Sequence, residues 1–170
     1  VEGQVSTGSA RTVRAGEPGL FDEPTEPATT PTPRVSNLQY DTILSWEQFD
    51  TWLAKLQAAE LVALDTETTS LDEMRAEIVG ISFSVEPGAA AYIPLAHDYP
   101  DAPVQLPRDE VLARLAPWLQ DASRGKLGQN IKYDLHVFAN HGIAVQGYRH
   151  DTMLQSYVLE AYKPHGLESL

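Results

Sequence analysis

Before about residue 37 the chain shows no sustained apolar period; after it, two periods alternate. Tyr40 to Leu44 reads as a short strand. Ser45-x-x-Gln48 fits a capping box, and Trp46, Phe49, Trp52, Leu53 and Leu56 follow at helical spacing, which predicts a helix to about Ala59. Leu61-Val62-Ala63-Leu64 is a continuous apolar run, the pattern of a strand buried on both faces. Ile78 to Val85 and Ala90 to Leu95 predict two further strands. Glu86-Pro87-Gly88 is the turn between them, and together with the first they make an antiparallel meander.

A loop rich in Pro and Asp spans His97 to Pro107. Pro107 suits the first turn of a helix whose apolar face is Val111, Leu112, Leu115, Trp118 and Leu119, and Pro117 should kink or restart it. Lys126 to Gln129 reads as a strand, Ile131 to Asn140 as a helix ending at His141-Gly142, and Ala144 to Tyr148 as another strand. Asp151 or Thr152 caps a last helix through Met153, Leu154, Tyr157, Val158 and Ala161. This order predicts an α/β domain with a mixed sheet.

Residues 1 to about 36 differ in kind. Pro18, Pro24, Pro27, Pro31 and Pro33 lie among Gly, Ser, Thr and Glu, a composition that cannot offset its ordering entropy. A flexible inter-domain linker over 1–36, a domain over 37–170 and another domain ahead of the linker are the expectations.

Composition narrows the chemistry. With no cysteine, disulfides, thiolate metal sites and cysteine nucleophiles are excluded. No apolar run is long enough to span a membrane and no signal-peptide pattern is present, so a cytoplasmic protein is expected. The 24 acidic and 12 basic residues give a net charge of −12, which argues against tight non-specific duplex binding. Carboxylates gathered around metal would account for part of that surplus.

Asp65-Thr66-Glu67 follows the apolar run directly, and strand alternation points both carboxylates the same way. Two such charges roughly 5 Å apart repel by about 3 kcal/mol at an effective dielectric of 20. They call for water, a shared proton or a hard cation such as Mg²⁺ or Mn²⁺. Acids just past a strand end are also commonly solvated, and alone the triplet is a weak signal. A second patch, Gly128-Gln129-Asn130-Ile131-Lys132-Tyr133-Asp134, puts Asp134 in the first turn of a helix. A central sheet could bring it against Asp65 and Glu67, although a first-turn acid is common in its own right.

Leu64-Asp65-Thr66-Glu67-Thr68-x-Ser70-Leu71 followed by Gly128-Gln129-Asn130-x-Lys132-Tyr133-Asp134 resembles the first two exonuclease motifs of the bacterial DNA polymerase I family. Val79-Gly80-Ile81-Ser82-Phe83, Ala91-Tyr92-Ile93-Pro94, His97-Asp98-Tyr99 and Asp151-Thr152-Met153-Leu154 resemble it too, so the likeness runs from about Val35 to Leu170. The resemblance implies a ribonuclease H-like fold and a 3′→5′ proofreading exonuclease of the DEDD class. It implies two divalent ions, Mg²⁺ or Mn²⁺ with Zn²⁺ an option at one site. Asp65 and Glu67 would bind metal, and Asp134 would help hold the second ion. Thr68 and Leu71 would contact the 3′-terminal nucleotides, Leu71 as an apolar wedge, and Gln129 and Asn130 would meet the strand.

The implied partners are a single-stranded or frayed 3′ end of DNA, the nucleoside monophosphate product and a polymerase domain in a longer, monomeric, nucleoid-associated protein. The family's third motif, Tyr-x-x-x-Asp, is expected beyond Leu170. Tyr157-Val158-Leu159-Glu160-Ala161 has no Asp at the fifth position and is no substitute. Without that motif the fragment is expected to be nearly inactive alone. Two other readings stay open: an RNase D-like RNA exonuclease, and a catalytically silent domain that supports a polymerase.

Overall fold

The computed structural model describes residues 38–167. The linker expected over 1–36 lies outside them, as do the last three residues. The first strand, β1 (Gln39–Thr42), leads to α1 (Trp46–Ala58). The capping box forms as expected: Ser45 Oγ accepts from the Gln48 amide at 3.3 Å and Gln48 Oε1 accepts from the Ser45 amide at 3.1 Å. Next come β2 (Leu61–Thr68), β3 (Ile78–Glu86) and β4 (Ala89–Pro94), joined as the antiparallel meander the sequence predicts. The remaining elements are α2 (Arg108–Leu119), β5 (Gly125–Gly128), α3 (Ile131–Asn140), β6 (Tyr148–Asp151) and α4 (Thr152–Leu159).

The sheet has six strands in the order β1-β4-β3-β2-β5-β6. β1 runs parallel to β4, and β2, β5 and β6 are mutually parallel; β3 alone runs the other way. The carboxyl ends of five strands therefore share one edge, where open α/β sheets place their ligands. One face of the sheet carries Val62, Leu64, Ile81, Phe83, Ala91 and Ile93, all buried in one core cluster with Phe49, Trp52 and Leu56 of α1, Val111, Leu115 and Leu119 of α2, and Val137 and Phe138 of α3. Trp118 joins α2 to this core edge-on to Phe83, and its indole N–H donates to the Leu56 carbonyl at 3.1 Å.

Three expectations change. β2 is fully buried on one face only; Ala63, Asp65 and Glu67 on its other face are half-buried or exposed. α2 continues through Pro117, which lies close enough to the C-terminus that just two residues follow it. β6 begins where the predicted strand over Ala144–Tyr148 ends. Ile143 and Val145 are buried there without sheet pairing, so their apolar alternation serves the core from a loop. Gly147 then turns the chain at φ 80°, with carbonyls of the 121–124 turn packed where a Cβ would sit.

Candidate active site

Strand alternation sets the first half of the site. On β2, Asp65 and Glu67 face the open side of the sheet opposite Ser82 and Gly80 of β3. Thr66, between them, points into the buried side. The register shifts between Glu67 and Thr68 and the ladder with β3 ends at Ile78, after which the chain enters the 69–77 loop. Two bonds from Asn140 Nδ2 hold that loop, to the Glu73 carbonyl at 2.8 Å and the Ala76 carbonyl at 3.1 Å. Leu71 sits on it 97% exposed, so it is no part of the core.

The second half comes from the turn between β5 and α3. Asn130 takes the left-handed conformation at φ 58°, and its side chain caps nothing. Asp151, at the end of β6, supplies the cap instead. Its carboxylate accepts from the amides of Asn130 and Ile131 at 3.3 and 3.0 Å, and also from Met153 and Leu154 at 3.0 and 3.2 Å. One buried carboxylate thus closes the N-termini of both α3 and α4. In the first turn of α3, Asp134 is buried and its Oδ1 accepts from Thr66 Oγ1 at 2.6 Å. The neighbouring Tyr133 hydroxyl meets the Thr68 hydroxyl and the Ser70 carbonyl, tying α3 to the start of the loop.

Electrostatics link the two halves. Burial, then the Glu67 charge, pushes the Asp65 carboxyl above the usual carboxylate range, while the Thr66 amide pulls the other way. Burial pushes Asp134 up to about 7; the Thr66 hydroxyl opposes this and the Asp65 charge adds to it. Tyr148 is pushed up by burial and then by Asp134, Asp65 and Asp151. Its hydroxyl is buried without a hydrogen-bond partner among these acids. Asp65 thus pairs with Glu67 across the open face and with Asp134 toward the core. Among the described residues, however, no three Asp, Glu or His side chains converge into one ligand cluster.

Gln129 and Asn130 are placed differently from one another. Gln129 spends its amide within the protein, accepting from the Thr152 hydroxyl and donating to the His165 carbonyl at 2.8 Å. Asn130 is exposed. Sequence reasoning missed Thr66 and Tyr148 as neighbours of the acids, and Tyr133 as the tie to the loop. For Thr66 a signal existed, since alternation alone turns it toward the helix face. For Tyr148 there was none, because only the β5–β6 pairing brings it to the acids.

A six-stranded mixed sheet with helices packed on it and acids at the carboxyl edge is the architecture of the ribonuclease H-like exonucleases. A family model described as 3′-5′ exonuclease matches residues 40–170. DNA polymerase I of Pseudomonas aeruginosa is 50% identical over 142 residues, covering 82% of this chain and 16% of that protein. Brucella melitensis NrnC with bound Mg²⁺ superposes with a TM-score of 0.53 at 26% identity, covering 77% of this chain and 58% of that one. Escherichia coli RNase D superposes at 0.54 with 21% identity, over 78% of this chain and 32% of that one, a likeness of fold alone. The chain belongs to the 3′-5′ exonuclease domain family of DNA polymerase I. It spans a small part of the polymerases it matches, 16% of the first and 15% of the Rhizobium leguminosarum one.

Proposed function

We propose that this chain removes nucleotides from the 3′ end of DNA by metal-dependent hydrolysis, as the proofreading module of a DNA polymerase I. The observation that carries the reading is the Asp65–Glu67 pair on an open strand face, coupled electrostatically to Asp134. The donors are all carboxylate oxygens, which fit a hard cation such as Mg²⁺ or Mn²⁺ and offer no nitrogen or sulfur that would favour Zn²⁺. The Asp65 and Asp134 carboxyls, raised by burial and by neighbouring acids, mark a site that a cation would favour. Asp65 and Glu67 would hold one ion and Asp134, with Asp65, a second. When bound, the ions activate water and take up charge on the leaving 3′ oxygen.

The protein's own groups do the rest. Thr66 fixes the Asp134 carboxylate, and Tyr133 fixes the loop that carries Leu71. Leu71, free of the core, wedges beside a base of the terminal nucleotides, and Thr68 contacts the same end. Asn130 meets the strand from the exposed turn, and Gln129 reaches it if its bonds to Thr152 and His165 exchange. The scissile P–O3′ bond breaks as water oxygen bonds to phosphorus, which yields a nucleoside 5′-monophosphate and a shortened strand with a free 3′ hydroxyl. The division into a linker over 1–36 and a domain over 37–170, the attached polymerase domain and a nucleoid-associated site of action belong to the same proposal. DNA rather than RNA is favoured because the polymerase likeness reaches 50% identity, whereas the RNase D likeness is one of fold.

The test is release of nucleoside monophosphate from a 3′-labelled single strand by the full-length natural protein, with DNA and RNA oligonucleotides compared. Asp65→Ala should lower the DNA rate by at least about a thousandfold, some 4 kcal/mol of transition-state stabilisation, with the fold retained. An Asp65→Ala protein that degrades DNA at the normal rate would sink the assignment.

A further inference from the structure

Beyond Glu67, on the side away from Asp134, the open sheet face carries a groove of about 480 Å³ that none of the assignments above uses. Glu67, Val79, Tyr92, Pro94, His97 and Tyr99 line it. Its floor exists because Gly80, opposite Glu67, has no side chain. The Tyr92 ring lies so close over Gly80 that not even a Cβ would fit. The Tyr92 hydroxyl meets His97 Nε2 at 2.6 Å, and the two rings are 5.9 Å apart at 47°. The His97 backbone is pinned twice by the Gln105 amide, at 2.9 and 2.8 Å. Tyr99 stands next, 5.8 Å from His97, and is 54% exposed. The three rings thus step outward from the sheet, the inner two fixed and the outermost offering its surface to solvent. Burial, and after it the charge of Glu67, raises the Tyr92 pKa, so the groove comes near the acids.

We infer that this groove is a nucleobase subsite, in which the Tyr99 ring, backed by His97 and Tyr92, stacks on one base of the single strand whose end lies at Asp65 and Glu67. The inference rests on the exonuclease reading. No lysine or arginine lines the groove, so nothing in it draws a phosphate, and its tyrosine and proline walls suit an uncharged aromatic ring. Stacking on an aromatic side chain is tolerant of base identity, as a nuclease acting on any sequence requires. The fixed inner rings mean that little side-chain freedom is lost when a base arrives.

Single-turnover and steady-state hydrolysis of 3′-labelled oligonucleotides by the full-length natural protein tests this. One substrate is intact, and the others each carry a single abasic residue at successive positions from the 3′ end. Tyr99→Ala should raise KM on the intact strand roughly tenfold, within the range of a single base stack, while kcat changes less than twofold. Tyr99→Phe, which keeps the ring, should recover most of that loss. At one position the abasic residue should raise KM for the unaltered protein and erase its advantage over Tyr99→Ala. An unchanged KM in Tyr99→Ala, or a penalty that no abasic position removes, overturns the subsite while leaving the exonuclease reading intact. No hydrolysis by the unaltered protein overturns both.

Discussion

Thr66 stands between two acids in the sequence and serves a third. Its hydroxyl is the side-chain donor to Asp134, 68 positions away. Thr66→Val keeps the shape and removes the donor, leaving a buried carboxylate short of a bond; the expected cost is about 1–3 kcal/mol in denaturant unfolding at pH 8. The same hydroxyl favours the ionised form of Asp134, so in metal-free protein its loss should push that carboxyl above about 7, as read by NMR titration of labelled aspartate. The sign for stability follows. An acid whose folded pKa is raised holds its proton longer in the native state, so the contribution of Asp134 to metal-free stability is full below about pH 4 and is lost as pH rises through about 7. Asp134→Asn should flatten that slope, and an unaltered slope would show that another group carries it. The common direction of Asp65 and Glu67 was legible because alternation is a local rule. The neighbours of Asp134 were not, since the partner strand and helix that deliver them lie far along the chain.

At the scale of elements, Asp151 is the joint. It accepts from two amides at the start of α3 and two at the start of α4, so the helix that carries Asp134 is held by a residue of β6. Asp151→Ala should remove both caps at about 1 kcal/mol or somewhat more each. Amide hydrogen exchange at Ile131 and Met153 should accelerate together. Protection lost at Met153 alone would mean that α3 has another cap. The sequence marked Asp151 as a cap for the last helix, a signal carried by its own neighbours, but not as the cap of α3, which depends on β5 and β6 lying side by side. α1 and α2 were the most legible elements, because each keeps a 3.6-residue apolar stripe, whereas α4 buries none of its residues and stops at Leu159, short of the expected Ala161. The strand before α4 was misplaced for a physical reason: Ile143 and Val145 alternate as a strand does, yet they reach the core from a loop, and pairing begins only after the turn at Gly147.

For the whole molecule, charge and topology set the terms. With 24 acidic and 12 basic residues, the chain has little to offer a phosphate backbone unless cations intervene. Single-stranded DNA should therefore bind weakly in EDTA and at least tenfold more tightly in Mg²⁺, as read by fluorescence anisotropy with Ca²⁺ as a non-hydrolysing control. Equal binding in EDTA would show that the metals do not bridge protein and strand. The mixed sheet was legible as a class, and the meander as an order of strands; the parallel pairing of β2 with β5 was not, because β3, β4 and α2 lie between them and nothing local in the sequence says which strand the chain returns to. That return has a consequence in time. β2, β3 and β4 pair through short connections and can zip early, carrying Asp65 and Glu67 with them. β5 reaches β2 only after a loop of more than fifty residues has closed, the kind of distant contact that forms late. Asp134 arrives with it, so Asp65 and Glu67 stand ready on the meander before the third acid can join them.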